Sequence, residues 1–223
     1  MKGEKLLENL YLICKETEKS CNIYAIGKTE TILIDCGIPE TMEAVTKNLA
    51  SLHLPFPSYI FITHCHFDHS LAAPDFKEKG SKIVTHYKTA EALEKDTYKV
   101  WPENLPAVKA VKVDIKTRDN CLLNLSGYEV RLIHTPGHTA GASCFLAEIS
   151  GRKCLFTGDL FLPSGKIGWK GSIDFSLEEF GKSLRKIREI DFDILLPGHG
   201  DILDKEKGSK CLEIAIENLK NPL

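Results

Sequence analysis

Three of the chain's eight histidines, together with an aspartate, fall within residues 64–69, which read His-Cys-His-Phe-Asp-His. Imidazole and carboxylate groups are ligands of zinc, iron and manganese, so this segment predicts a metal site. In an extended segment, side chains two positions apart share a face, which would point His64, His66 and Asp68 the same way. A turn is then required to bring both Asp68 and His69 inward. One ion cannot easily take all four groups from so short a loop, whereas two neighbouring ions could divide them.

Three later segments offer further ligands. They read HTPGHT at 134–139, FTGD at 156–159 and PGHGD at 197–201. Each lies where an apolar strand gives way to a tight turn, which is where a rigid scaffold presents functional groups. The candidate ligands are His134 or His138, Asp159 and His199. Any one of these segments alone is typical of an ordinary turn, and it is their occurrence together that indicates a metal site.

Short apolar runs between turn residues predict the strands that must position these groups. The predicted strands span 9–15, 22–27, 31–37, 59–63, 82–86, 110–115, 128–135, 143–149, 153–159 and 193–201, the last ending in a turn. Helical patterns cover about 40–50, 88–100 and 205–219, and a capping box at 176–179 precedes a further helix. Because strands followed by a helix occur in both halves without a linker, the pattern predicts one domain over residues 1–223, with two sheets covered by helices.

The composition argues against several classes of protein. A hydrophobic content of 43% and a charged content of 27% are typical of a globular chain. The net charge is −2 and the lysines are scattered, so we expect no nucleic-acid partner. There is no run of about 20 apolar residues and no secretory signal, so we expect neither a membrane span nor secretion. Eight cysteines without a CxxC pair predict free, mostly buried thiols in the reducing cytoplasm.

In this order and spacing, THCHFDH at 63–69, HTPGHT, FTGD and PGHG resemble the motifs of the metallo-β-lactamase superfamily. The earlier stretch NIYAIGKTETILIDCG also resembles the start of that fold, with Asp35 and Gly37 at its aspartate–glycine turn. The resemblance extends over about residues 20–205. It implies a four-layer αββα sandwich, in which two mixed sheets are flanked by helices and the metal ions lie at one edge of both sheets.

The resemblance also implies how the ligands are divided between two ions. The first ion would be bound by His64, His66 and His138, the second by Asp68, His69 and His199, and Asp159 would bridge both. The implied cofactors are two divalent ions, with zinc as the first choice and iron or manganese as alternatives. His134 matches a histidine of the motif that is not a ligand. His53 and His86 stand outside every motif and are expected on the surface or in the core, and Cys65 is expected to serve in packing.

Paired cations would lower the pKa of a bridging water and provide a hydroxide nucleophile, which Asp68 would orient before accepting its proton. We therefore expect a dinuclear metal-dependent hydrolase acting on a small-molecule ester-like or thioester substrate. Within the superfamily the motifs most resemble glyoxalase II-like thioester hydrolases. Only 24 residues follow His199, however, so we do not expect the glutathione-binding helical domain of glyoxalase II, and a glutathione thioester is a less favoured substrate.

Three other activities of the same superfamily stay open. They are a mononuclear iron persulfide dioxygenase, a lactonase and a phosphodiesterase.

The glycine-rich loop at 161–175 is a candidate part of the substrate pocket. In this loop, Trp169 with Lys166 and Lys170 could form one wall.

Overall fold

The computed structural model describes residues 2–95, 97–100, 108–168 and 170–219, and its strands form two sheets. The seven-stranded sheet contains, in this order, β1 (Glu4–Leu7), β2 (Leu10–Cys14), β3 (Ile23–Gly27), β4 (Thr31–Ile34), β5 (Tyr59–Phe61), β6 (Lys82–His86) and β7 (Ile115–Thr117). The pairings from β1 to β4 are antiparallel and those from β4 to β7 are parallel. The first half of the chain therefore builds a mixed sheet.

The second half of the chain builds a six-stranded sheet. Its strands are β8 (Leu122–Leu125), β9 (Tyr128–His134), β10 (Ser143–Ile149), β11 (Arg152–Gly158), β12 (Ile194–Pro197) and β13 (Leu203–Asp204). They lie side by side in the order β13-β12-β11-β10-β9-β8. Only β11 and β12 pair in parallel, and the other neighbours are antiparallel. Both sheets are mixed, as predicted.

Helices cover the outer face of each sheet. In the described part of the chain these are α1 (Met42–Ser51), α2 (Phe67–Ser70), α3 (Ala73–Glu78), α4 (Tyr87–Glu94), α5 (Leu177–Arg188) and α6 (Lys205–Asn218), with 3-10 turns at Pro39–Thr41 and Thr97–Lys99. Side chains of α1, α3 and α4 share a core with the seven-stranded sheet. Those of α5 and α6 share another with the six-stranded sheet. The layers run helix, sheet, sheet, helix, which confirms the predicted αββα sandwich.

A third core joins the two sheets. Phe61 of β5 meets Phe145 of β10 edge to face, with ring centroids 5.3 Å apart, and Tyr24 of β3 meets Phe156 of β11 at 5.6 Å. All four rings are almost completely buried. Ile60, next to Phe61, points to the helical side instead. A strand that is covered on both faces therefore has a continuously apolar sequence, because alternate side chains enter different cores.

Most predicted elements are found close to their predicted positions. The strand predicted at 143–149 is β10, Ser143–Ile149. The N-cap half of the predicted capping box is confirmed, because the Ser176 hydroxyl accepts a hydrogen bond from the Glu179 N–H at 3.3 Å at the start of α5. The Ser176 N–H donates to the Gly137 carbonyl at 2.9 Å and not to Glu179. The helix predicted at 88–100 ends earlier, at Glu94. Within the described ranges, no helix is long and apolar enough to cross a membrane. That residues 1–223 form a single domain stays a prediction.

The strand predicted at 110–115 is wrong, since β7 begins only at Ile115. The Val111 N–H donates to the Leu93 carbonyl and the Val113 N–H donates to the Glu94 carboxylate, both at 2.9 Å. The first part of this stretch therefore bonds to the end of α4. Pairing with β6 begins only at Asp114, whose N–H donates to the Ile83 carbonyl at 3.0 Å. Helices α2 and α3 and strands β1, β8 and β13 had no matching prediction.

Asp119 holds the end of β9, where the HTPGHT motif begins. Its carboxylate accepts the His134 N–H at 2.9 Å and binds the Lys186 ammonium of α5 at 2.8 and 2.7 Å. Lys186 also donates to the His134 carbonyl at 3.0 Å. Burial by itself would raise the pKa of Asp119, but the hydrogen bonds from Lys186 and the His134 N–H outweigh it and lower that pKa. The carboxylate therefore ties α5 to the strand that leads into the site.

Removing a ring from the core between the sheets should test the sandwich. Phe145→Ala leaves a cavity against Phe61, so we expect it to lower the free energy of unfolding by about 3–5 kcal/mol. Leu122→Ala changes a side chain that is 45% exposed and should shift that free energy by less than about 0.5 kcal/mol. Urea denaturation of the metal-free proteins measures both. Equal losses in the two variants would contradict the packing described above.

The Asp119 carboxylate should make stability depend on pH. Its folded pKa is lowered, so its stabilising effect is present above the unfolded value of about 3.9 and is lost as the pH falls through the folded pKa. Asp119→Asn should therefore lower Tm at pH 7 and reduce the fall of Tm below about pH 4. Calorimetry from pH 7 to pH 3 measures this, with the exposed Glu129→Gln as control. A Tm profile of Asp119→Asn that matches the wild type would contradict the role of this carboxylate.

Candidate metal centre

The predicted ligands come from strand ends that meet at one edge of the sandwich. Backbone hydrogen bonds join these ends. The Ser143 N–H donates to the Thr63 carbonyl at 2.9 Å and thereby links the loop after β5 to the start of β10. The Gly198 N–H donates to the Gly158 carbonyl at 2.9 Å and links the ends of β11 and β12. Loops that are far apart in the sequence are therefore placed side by side by the ladders of the two sheets.

His64, His66 and His138 form the first ligand set. His66 Nδ1 lies 3.1 Å from His64 Nε2 and 2.9 Å from His138 Nε2. All three side chains are buried. As the extended pattern predicted, His64 and His66 share a face, whereas Cys65 between them is buried in the core under the helices. The three nitrogens converge as the ligands of one ion would.

Asp68, His69, Asp159 and His199 form the second ligand set. The Nε2 atom of His199 lies 2.9 Å from Asp68 Oδ2, and that of His69 lies 3.1 Å from Asp159 Oδ1. The extended backbone predicted through Asp68 ends at His66, so strand alternation does not place Asp68. Helix α2 begins at residue 67 and provides the turn that presents Asp68 and His69 together.

Asp159 lies between the two sets. Its Oδ1 atom faces His69 at 3.1 Å and His199 at 3.7 Å, whereas its Oδ2 atom lies 3.6 Å from His138 Nε2. One carboxylate oxygen is therefore directed to each set. This is the placement expected of a bridging ligand, although its role as a ligand stays a prediction.

The chemistry of these residues fits bound divalent cations. His69 Nε2 and Asp159 Oδ1 are buried and lie 3.1 Å apart, but neither atom makes a well-aligned hydrogen bond in the described structure. Burial lowers the pKa of His64 and of His138 and brings that of His66 to about 3, so all three imidazoles are neutral and can bind a metal. A neutral imidazole carries one hydrogen, so His66 Nδ1 can share a hydrogen bond with only one of its two neighbours at a time, whereas a cation could bind all three nitrogens together.

The second set is more strongly charged than the first. Burial opposes ionisation of Asp68, but the charge of His69 and the hydrogen bond from His199 outweigh it and lower the pKa of Asp68. Burial also opposes protonation of His199, yet the hydrogen bond to Asp68 and the charge of Asp159 raise its pKa. Two ionised carboxylates with two imidazoles are a ligand set suited to zinc, iron or manganese.

Asp35 and Thr63 orient two of the histidines. Asp35 Oδ2 accepts from His69 Nδ1 at 2.8 Å, which turns His69 Nε2 toward the second set. The Thr63 hydroxyl donates to Asp35 at 2.9 Å and lies 3.1 Å from His64 Nδ1. Because that hydroxyl already donates its hydrogen, it can only accept from His64, whose Nε2 is then available as a ligand. Sequence reasoning placed Asp35 at a turn but missed its contact with His69.

Other singled-out residues lie outside the two ligand sets. His134 Nε2 lies 3.0 Å from the Ala140 carbonyl, and its ring stacks on the buried His86 with centroids 3.9 Å apart. Its place is therefore structural, as the motif implied. His53 is exposed. The Ser143 hydroxyl donates to the Gly141 carbonyl at 3.1 Å and so supports the turn rather than a ligand.

Asn22 and Cys21 also contact the site, and sequence reasoning missed both. Asn22 Nδ2 donates to the carbonyls of Pro197 and Gly200 at 3.1 and 3.0 Å, and thereby holds the turn that carries His199. Cys21 lies with Asp35 and His69 in one buried cluster. Burial raises the pKa of the Cys21 thiol to about 12, so it is uncharged at neutral pH. In the sequence, neither the type nor the spacing of Asn22 and Cys21 indicates that they contact the site.

A cavity of about 470 Å³ opens over both ligand sets. Its walls are formed by His66, Phe67, Asp68, His138, Asp159, Leu162, Gly168 and His199. The loop at 161–175 contributes Leu162 and Gly168, which supports its predicted place at the pocket. Lys166 and Lys170 are exposed, and Trp169 lies outside the described residues.

Gly198 should be required for the second ligand set. A Cβ there would lie 2.5 Å from Asp159 Oδ1 and 2.6 Å from His69 Cε1. Gly198→Ala should therefore weaken zinc binding at the second set by about 10-fold or more, as measured by metal analysis after dialysis against buffered zinc. Gly168→Ala is the control, because a Cβ there would meet no described atom within 4 Å. Zinc binding by Gly198→Ala as tight as that of the wild type would contradict this geometry.

Known proteins resemble this chain in sequence. The "Atrochrysone carboxyl ACP thioesterase" of Aspergillus fumigatus is 31% identical over 213 residues, which cover 89% of this chain and 60% of the relative. The "Beta-lactamase-like protein 2 homolog" of Caenorhabditis elegans is 28% identical over 203 residues, which cover 88% of this chain and 62% of the relative. This chain therefore spans about 60% of the length of these two relatives.

Solved structures share the fold. A metallo-beta-lactamase of Cronobacter sakazakii has a TM-score of 0.81 at 16% identity, with 99% of this chain and 96% of that chain covered. A subclass B3 metallo-beta-lactamase of Bradyrhizobium japonicum has a TM-score of 0.79 at 21% identity, with 97% and 90% covered. A family model for the metallo-beta-lactamase superfamily matches residues 17–199, a range that contains all seven predicted ligands. The chain belongs to the metallo-beta-lactamase superfamily.

Proposed function

We propose that this protein is a metal-dependent hydrolase that uses two divalent cations to cleave a thioester or ester bond in a small-molecule substrate. One observation carries the proposal, namely that two ligand sets meet at Asp159 and open into the same cavity. Zinc is the first choice of metal, with iron or manganese as alternatives. His64, His66 and His138 would hold one cation, Asp68, His69 and His199 the other, and Asp159 would contact both.

When bound, the two cations would supply a water-derived nucleophile at neutral pH and polarise the carbonyl oxygen of the substrate. Asp68 would orient the attacking water and accept its proton. Its Oδ2 atom lies 2.9 Å from His199 Nε2 at the wall of the cavity. The lowered pKa keeps this carboxylate ionised and thus able to take up a proton during the reaction.

The class of substrate is argued from the cavity and from the relatives. Phe67 and Leu162 form an apolar part of the wall beside the metal-binding groups, which suits an acyl group whose carbonyl carbon is attacked. Two relatives, from Aspergillus fumigatus and Emericella nidulans, carry the names "Atrochrysone carboxyl ACP thioesterase" and "Thioesterase pkgB". A thioester is therefore the first choice, as in the glyoxalase II-like enzymes that the motifs resemble, and an oxoester or lactone is the second.

A panel of substrates tests the reaction. We expect the zinc-loaded protein to hydrolyse thioesters with a higher kcat/KM than oxoesters, lactones or phosphodiesters. Absence of hydrolysis on all four classes would contradict the proposal. A single bound iron with oxygen consumption on a persulfide would instead support the dioxygenase.

Asp68→Asn tests the proton acceptor. The amide cannot take up a proton, so we expect kcat to fall by about 10²–10⁴-fold on the preferred substrate. Asp201→Asn is the matched control, since it removes a carboxylate that is 80% exposed close to His199, and it should keep the wild-type kcat. Metal analysis of both variants separates loss of the base from loss of a ligand. Wild-type turnover by Asp68→Asn would show that another group accepts the proton.

A further inference from the structure

Residues 16–22 fold against the two loops that carry the second ligand set. The stretch forms a tight turn, in which the Thr17 N–H donates to the Ser20 carbonyl at 2.8 Å. Its far end then contacts both loops. The Cys21 N–H donates to the Asp68 carbonyl at 3.2 Å, and the Asn22 N–H donates to the Gly198 carbonyl at 2.7 Å. This segment is therefore the place from which Asp68 and His199 are held together.

Glu16, at the start of this segment, binds His199 directly. Its Oε2 atom lies 3.0 Å from His199 Nδ1, and its Oε1 atom accepts the Gly200 N–H at 2.7 Å. The Glu16 side chain is 30% exposed, and its own N–H donates to Asn22 Oδ1 at 2.8 Å. Glu16 is therefore held at its backbone by Asn22 and at its carboxylate by the loop that carries His199.

This contact decides which nitrogen of His199 faces the site. A carboxylate can only accept hydrogen bonds, so His199 Nδ1 must carry the hydrogen. The atom left to bind a metal is then Nε2, which faces Asp68 at 2.9 Å and Asp159 at 3.7 Å. A cation that binds there would replace the hydrogen that Nε2 donates to Asp68. A carboxylate behind a ligating imidazole also increases the basicity of the ligand nitrogen.

Among the described residues, neither His64 nor His138 of the first ligand set has a carboxylate at Nδ1. In the second set both histidines have a carboxylate at Nδ1, namely Asp35 behind His69 and Glu16 behind His199. In the first set, His64 Nδ1 faces the Thr63 hydroxyl at 3.1 Å. His138 Nδ1 has no hydrogen-bond partner among the described residues. Loss of the Glu16 carboxylate should therefore affect one set only.

We infer that Glu16 is a positioning residue for the second cation, which holds the His199 ring with Nε2 turned into the second ligand set. This inference rests on the proposed two-cation site. Glu16 touches neither the substrate nor the reacting atoms, and it acts through His199 and the Gly200 peptide.

The test compares Glu16→Gln with Glu18→Gln in the whole chain. Glutamine keeps the size of the side chain but accepts at only one of its two terminal atoms, so it cannot accept from both His199 Nδ1 and the Gly200 N–H. We expect the affinity for the second zinc ion to fall by about 10- to 100-fold while the affinity for the first stays unchanged. Glu18 is exposed and lies two residues away, so its variant makes the same charge change without a predicted effect.

Two measurements separate positioning from general destabilisation. Native mass spectrometry in zinc-buffered solutions counts the ions per chain, and competition with a chromophoric chelator gives each affinity. The Tm of the metal-free variants reports on the fold. Selective loss of the second zinc with an unchanged metal-free Tm supports the inference, and His199→Ala provides the reference for a lost second site.

Three outcomes would overturn the inference. Wild-type affinity for both ions in Glu16→Gln would show that the contact does not matter for metal binding. Equal loss of both ions with a lower metal-free Tm would show a structural role. A wild-type chain that binds one zinc ion only would overturn the two-cation proposal itself, and the inference with it, which distinguishes the two failures.

Discussion

Imidazoles and carboxylates are held within a few ångströms of one another at the edge of this sandwich, and the surrounding structure must keep them there. The nitrogens of His66 and His138 lie 2.9 Å apart, and the carboxylates of Asp68 and Asp159 face the same histidines. Such a cluster is costly to bury without a cation. The strands and the three apolar cores stabilise this arrangement, because they leave the loops that carry these side chains few alternative positions.

The scaffolding works through backbone contacts between strand ends. Gly158 and Gly198 bring β11 and β12 together at the point where Asp159 and His199 leave the sheet. The absence of a side chain at Gly198 leaves room for Asp159 and His69. Asp119 and Lys186 fix the start of the HTPGHT turn in a similar way from the other side. The packing of the sheets therefore also fixes the positions of the candidate ligands, since each ligand loop is hydrogen-bonded to a neighbouring loop or strand.

The two ligand sets differ in their surroundings as well as in their ligands. Three neutral imidazoles make up the first, and their burial keeps them unprotonated. The second set contains Asp68 and Asp159 and is backed by the carboxylates of Asp35 and Glu16. Negative charge is therefore concentrated on the side of Asp68, where the proposed reaction needs a proton acceptor.

The sequence predicted those elements best whose formation depends on residues close together in the chain. The alternation and length of apolar runs predicted β10 to the residue, and the capping box predicted the start of α5. Prediction failed at 110–115, where an apolar run looks like a strand but bonds to the end of α4. Periodicity reports that a residue is buried, and it does not report which neighbour takes up its backbone hydrogen bonds.

The sequence by itself determined the kinds of ligand, their order along the chain and the strands that precede them, because residue type and spacing are local properties. Only the tertiary structure decided that helix α2 presents Asp68 to His69 and His199, and that Asp159 directs one oxygen to each set. It also decided that Glu16 and Asp35 lie behind His199 and His69. Those contacts join residues up to 183 positions apart. No local spacing encodes such a contact, since it arises from the packing of two sheets against each other.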